Sequence, residues 1–164
     1  MYKGRNTCTG MERVMKITNM KCNRIENPLG FALEEPSLSW ITEDTEAKVQ
    51  EAAQILVAED EAFTKVVYDS GRDEKISSVG HKIMIRLKPC TRYYWKVQVF
   101  TDAGEAVSDT AWFETAKMQE AWEGKWITPD TEDSSIHPIV RKRFTLSKKP
   151  VKARLYVTGL GLYE

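Results

Sequence analysis

The residues able to do chemistry in this chain are few and loosely spaced. Three acidic runs, EDTE (43–46), EDE (59–61) and DTED (130–133), hold enough carboxylates for a general acid and a general base. Each lies in a hydrophilic connection between apolar stretches, where charged side chains are ordinarily solvated. DTED has oxygens for a calcium ion but lacks the glycine and the ligand spacing of a dedicated loop. His81 and His137 have no cysteine neighbour and no HxxxH partner, so zinc has no ligand frame. Asp69, Ser70 and Gly71 invite a serine-nucleophile reading, but no G-x-S-x-G surrounds them and the tripeptide reads as a turn. Gly159 and Gly161 in TGLG are too few to cradle a phosphate, and a bend at a strand end explains them. No catalytic residue, metal site or cofactor site is expected.

The bulk properties narrow the classes further. The 164 residues carry 24 lysines and arginines against 24 aspartates and glutamates, which gives no electrostatic reason to expect nucleic acid or an anionic membrane as partner. Apolar residues make up 41%, enough for a proper core. Cys8, Cys22 and Cys90 are odd in number and show no CxxC spacing, so they read as reduced thiols of a cytoplasmic protein. No run approaches the roughly 20 apolar residues that span a bilayer. The first 14 residues are polar and aperiodic, and are expected to form a loose leader.

From Met15 the punctuation becomes that of an all-β protein. MKITNMKC (15–22) alternates, ENPLG (26–30) signals a turn, and PSLSWIT (36–42) puts Leu38 and Trp40 on one face. KVVYDSGR (65–72), HKIMIRL (81–87), RYYWKVQVF (92–100) and TAWFETA (110–116) read as further strands, with TDAGEA (101–106) as a turn. Residues 46–63 pull in two directions. They are rich in helix formers, and Val49, Ala52, Ala53, Leu56 and Val57 fit a helical face. Ala53, Ile55 and Val57 also alternate between strand-like neighbours, and context favours a strand over 51–59. Seven short strands in about 100 residues match an immunoglobulin-like or fibronectin type III-like sandwich over 15–117. Trp40, Tyr93 and Trp95 belong to its core. A junction over 118–138 follows. IVRKRFTLS (139–147) and VKARLYVTGLGLYE (151–164) alternate again and are expected to begin a second, incomplete β-sandwich, because a lone two-stranded ribbon is marginal in water.

Leu87, Pro89, Thr91 and Tyr93 spell L-x-P-x-T-x-Y, which resembles the corner leading into strand F of a fibronectin type III domain. There a tyrosine hydroxyl closes the turn. Trp40 resembles that family's core tryptophan. A narrower resemblance rests on nine blocks in order: NPLG (27–30), P-x-L-S-W (36–40), QILVAE (54–59), YDSG (68–71), TRYYWKVQVF (91–100), FETA (113–116), W-x-x-KWI (122–127), RKRF (141–144) and ARLYVTGLGLYE (153–164). Together they resemble the N-terminal region of bacterial α-L-rhamnosidases, inverting glycoside hydrolases. The resemblance implies a fibronectin-like domain, then the start of a jelly roll, with a catalytic helical barrel further on. It also implies that no catalytic acid falls on these 164 positions. The parent would cleave terminal α-L-rhamnose, and this segment would support it without catalysing.

Aromatic side chains remain as contact candidates. Trp122 and Trp126 fall in the junction, where the expectation is packing between domains or contact with a rhamnose-containing glycan. Tyr94 and Phe100 lie on the phase opposite the core and are open to either role. The expected partners are therefore the remaining domains of a parent enzyme and its glycans. The rival readings are a carbohydrate-binding module and a fibronectin-type protein-interaction module.

Overall fold

The computed structural model describes residues 14–43, 45–128, 130, 135 and 139–159. The chain divides into two units, 1–123 and 124–164. Nine strands occur among the described residues, all in the first unit. They are β1 (Lys16–Cys22), β2 (Leu29–Phe31), β3 (Ser37–Glu43), β4 (Gln50–Ala58), β5 (Val66–Asp69), β6 (His81–Lys82), β7 (Arg92–Thr101), β8 (Gly104–Val107) and β9 (Ala111–Thr115). No helix forms among them.

Two sheets result. The smaller has the order β1-β3-β6 and the larger β2-β9-β7-β4-β5, with β8 also paired to β7. The alternation of β7 builds the centre of the large sheet: Tyr93, Trp95, Val97 and Val99 are buried, and the residues between them are half-buried. Facing them are Leu38 and Trp40 of β3 and Ile17, Met20 and Cys22 of β1, which complete one core. Those three β1 residues break strict alternation. Asn19 takes a φ of 50°, and the register with β3 shifts between Thr18 and Lys21. This bulge moves the strand's phase by one residue and brings Met20 and Cys22 inward.

The conflict at 46–63 resolves as a strand. β4 pairs with β7 from Gln50↔Thr101 to Ala58↔Tyr94. Ala53, Ile55 and Val57 are fully buried, whereas Val49, which the helical face requires inside, is 59% exposed. The β7 ladder satisfies the backbone along its whole length, and tertiary pairing overrides helix propensity. The Asp60 carboxylate accepts from the N–H groups of Thr64 and Lys65 at 3.0 and 2.7 Å and so shapes the loop after β4.

Within the first unit, three sequence expectations change. HKIMIRL keeps its alternation, with Ile83 buried and Ile85 and Leu87 packed on the core, but only His81 and Lys82 form a ladder. Leu29–Phe31, which overlaps the end of the expected turn 26–30, is a strand paired in parallel with β9. Within TDAGEA, Gly104 begins β8, which pairs with the end of β7. In the second unit, residues 139–159 form no strand, and Ile139, Phe144, Val151 and Leu155 are exposed. The expected leader, but for residue 14, and the end of the last alternating run, 160–164, lie outside the described residues.

Candidate functional site

Among the described residues, several side chains with catalytic potential are committed to structure. Ser70 Oγ accepts from the Ile55 N–H at 2.8 Å and donates to the Gly71 carbonyl at 2.7 Å. Asp69 accepts from the Gly71 N–H and from the Gln54 amide, at 2.8 and 2.7 Å. Gly71 holds a φ of 62°, and the tripeptide is the turn leaving β5. Glu59 pairs with Lys88, and Glu35 with Lys82 at 2.8 Å. Among the described residues no three His, Cys, Asp or Glu side chains group to hold a metal ion. His137 and residues 131–133 of DTED lie outside the described residues.

What the structure does build is a clamp on β9, the strand through which the chain leaves the sandwich. On one side stands the corner formed by residues 88–91. The Lys88 N–H donates to the Tyr93 hydroxyl at 2.8 Å, and the Tyr93 ring stacks on Phe113 of β9 with centroids 5.4 Å apart. Burial pushes the Tyr93 phenol above its ordinary pKa, against the smaller opposing effect of the Lys88 N–H. Thr115 then stitches corner and strand together. Its hydroxyl donates to the Lys88 carbonyl at 2.7 Å and accepts from the Thr91 N–H at 3.0 Å. The Cys90 N–H, on a residue with a φ of 49°, donates to the Ala116 carbonyl at 2.9 Å.

The other side of β9 is held by β2. The Glu114 N–H donates to the Pro28 carbonyl at 2.9 Å, and the Ala116 N–H to the Phe31 carbonyl at 2.8 Å. Asn27 adds a side-chain acceptor for the Trp112 N–H at 2.9 Å. Glu114 itself is fully buried and meets Arg92 Nε at 3.0 Å, while the Arg92 guanidinium lies 3.9 Å over the Trp112 ring. Sequence reading placed Tyr93 at a corner but missed Glu114 and Thr115. Their burial depends on β2, whose three residues look like turn chemistry.

The aromatic candidates separate by environment. Trp40, Tyr93 and Trp95 are core residues, at most 3% exposed. Trp122, in the first unit, is 52% exposed with Lys117 Nζ 5.9 Å from its ring centroid. Trp126, in the second unit, is 68% exposed. Tyr94 and Phe100 are half-buried on the outer face of the large sheet. Arg72 sits 4.2 Å over Phe100, and Lys96 sits 4.4 Å over Phe63 nearby. One face of each of those two phenyl rings is covered by a cation, which leaves them less open to a stacking sugar.

Two sheets packed over one core, antiparallel except for the parallel contact of β2 with the last strand β9, and a tyrosine corner define an immunoglobulin-like β-sandwich. Residues 17–119 match the family model described as Rha78A-like, N-terminal immunoglobulin domain, and the chain belongs to that family. An α-L-rhamnosidase of Formosa agariphila is 32% identical over 87% of this chain and 18% of its own length. One from Streptomyces avermitilis is 33% identical over 74% of this chain and 13% of its own. The crystal structure of a Streptomyces avermitilis α-L-rhamnosidase complexed with L-rhamnose superposes on 70% of this chain and 12% of that one, with a TM-score of 0.64 at 33% identity. The α-L-rhamnosidase structure from Dictyoglumus thermophilum gives a TM-score of 0.62 at 30% identity. The chain thus matches less than a fifth of the length of each of these relatives.

Proposed function

We propose that this chain is a non-catalytic N-terminal segment of an α-L-rhamnosidase-like glycoside hydrolase, and that its task is to hold the domains that follow in a fixed direction. The parent would remove terminal α-L-rhamnose from glycosides with inversion. The clamp on β9 carries the reading. A strand secured by β7 and the corner on one side and by β2 on the other leaves the sandwich along a defined line. Trp122 and Trp126 serve as wedges against those later domains. Cytoplasmic residence belongs to the same reading, supported by the free thiols of Cys22 and Cys90.

The test is hydrolysis of an aryl α-L-rhamnoside by the purified 164-residue chain. Release no faster than in buffer is the expected result. Turnover that copurifies with the chain through successive columns would overturn the proposal.

A further inference from the structure

The chain just after β6 is strand-like but has no ladder. β6 is the edge of the small sheet, and the Ile83 N–H still reaches back to the Pro36 carbonyl at 3.0 Å. Beyond it the alternation of a strand continues. Ile83, Ile85 and Leu87 pack on the core, while Lys82, Met84, Arg86 and Lys88 are exposed, Met84 to 79%. Among the described residues, none forms a hydrogen bond with a backbone group of Met84, Ile85, Arg86 or Leu87. An edge of this kind is a template for one more strand. Because the Ile83 N–H points toward β3, an extended backbone turns the Met84 and Arg86 N–H and C=O groups to the open side. The outward side chains, roughly 6.7 Å apart in such a backbone, are cationic at three positions of four. Lys82 and Lys88 each hold one carboxylate, from Glu35 and Glu59, and both ammonium-bearing side chains stay about two-thirds exposed, at 67% and 66%. Arg86 has no ion-pair partner among the described residues.

We propose that the edge formed by residues 82–88 binds an extended acidic segment of a partner protein as an added antiparallel strand. Main-chain bonds at Met84 and Arg86 give the attachment. Carboxylates opposite Lys82, Arg86 and Lys88, with an apolar side chain opposite Met84, give the selectivity. A second copy of the same edge fits worse, because antiparallel self-pairing about Ile85 sets Lys82 against Lys88 at both ends. Lysines blunt a sheet edge against pairing of that sort, and they leave it open to a strand of opposite charge. The inference concerns the small sheet and needs no later domain, so it stands or falls apart from the scaffold proposal.

The experiment is a titration of the intact ¹⁵N-labelled chain at low salt with the end-blocked peptide Glu-Thr-Glu-Thr-Val-Thr-Glu. Run antiparallel, its glutamates face Lys88, Arg86 and Lys82, and its valine faces Met84. The Met84 and Arg86 amide resonances move to saturation in the sub-millimolar range, and their hydrogen exchange slows. Arg86→Glu, at an exposed position that leaves the core intact, weakens the response by about tenfold. Lys48→Glu, the same charge change on the exposed loop before β4, leaves it unchanged. A peptide N-methylated at its valine and central glutamate keeps the charges, lacks the main-chain donors and does not bind. Met84 and Arg86 resonances that stay fixed at millimolar peptide overturn the proposal. Undiminished binding of the N-methylated peptide also overturns it, since the contact is then one of charge alone. So does a dimer of the free chain in sedimentation that protects the same two amides, since the occupant is then a second copy.

Discussion

Replacing Arg92 with alanine tests the clamp at its most costly point. The Glu114 side chain is 1% exposed, and Arg92 Nε lies 3.0 Å from Oε2. Removing one partner of a buried ion pair costs about 3–5 kcal/mol, because the remaining charge stays desolvated. The Arg92 side chain keeps 26% of its exposure, which favours the lower end. Loss of the guanidinium over Trp112 adds roughly 0.5–1 kcal/mol. The expected loss is therefore about 3–4 kcal/mol. In a domain of this size each 1 kcal/mol lowers Tm by about 4–8 °C, so differential scanning calorimetry should show a drop of more than 10 °C. Coupling is the sharper readout. Glu114→Gln made on top of Arg92→Ala removes the buried charge and should recover part of the loss. A single-mutant cost under about 1 kcal/mol, or strictly additive single and double mutants, would refute the reasoning.

Tyr93→Phe removes the acceptor of the Lys88 N–H while keeping the ring on Phe113. It should cost about 1–2 kcal/mol in urea unfolding, with the m-value unchanged. Alkaline pH should weaken the fold by a related route. Burial raises the Tyr93 and Tyr68 phenols above their ordinary pKa, so the native state holds protons that the unfolded chain releases. That stability is complete below the unfolded tyrosine pKa and is lost as pH rises through the folded one. Denaturation midpoints should fall above about pH 10, and less steeply in Tyr93→Phe. Burial also pushes the Cys22 thiol up to about 12, whereas Cys90 is exposed. Iodoacetamide at pH 8 should label Cys90 and spare Cys22 in the folded chain, with both labelled in urea, as read by peptide mass mapping.

The sequence shows the sandwich best where one strand's own pattern decides its place. β7 alternates without interruption, and its corner carries L-x-P-x-T-x-Y, so Tyr93, Trp95 and the central position of the strand follow directly. β4 needed its neighbours, since alanine, glutamine and leucine satisfy a helix until β7 supplies the ladder. Where burial depends on a distant segment, the pattern is silent. Glu114 and Thr115 look like surface residues at a strand end, and they are buried because β2 and the 88–91 corner close over them. Residues 139–159 illustrate the converse: they alternate in sequence but form no strand in the structure.

The parallel contact between β2 and β9 has a mechanical consequence. β2 lies near the start of the sandwich and β9 at its end, so tension between the two ends draws these strands along each other's length. The bonds from Glu114 and Ala116 to Pro28 and Phe31 then bear load together in shear and do not peel open one at a time. Pulled from its two ends, this module would act as a stiff coupling that resists stretching.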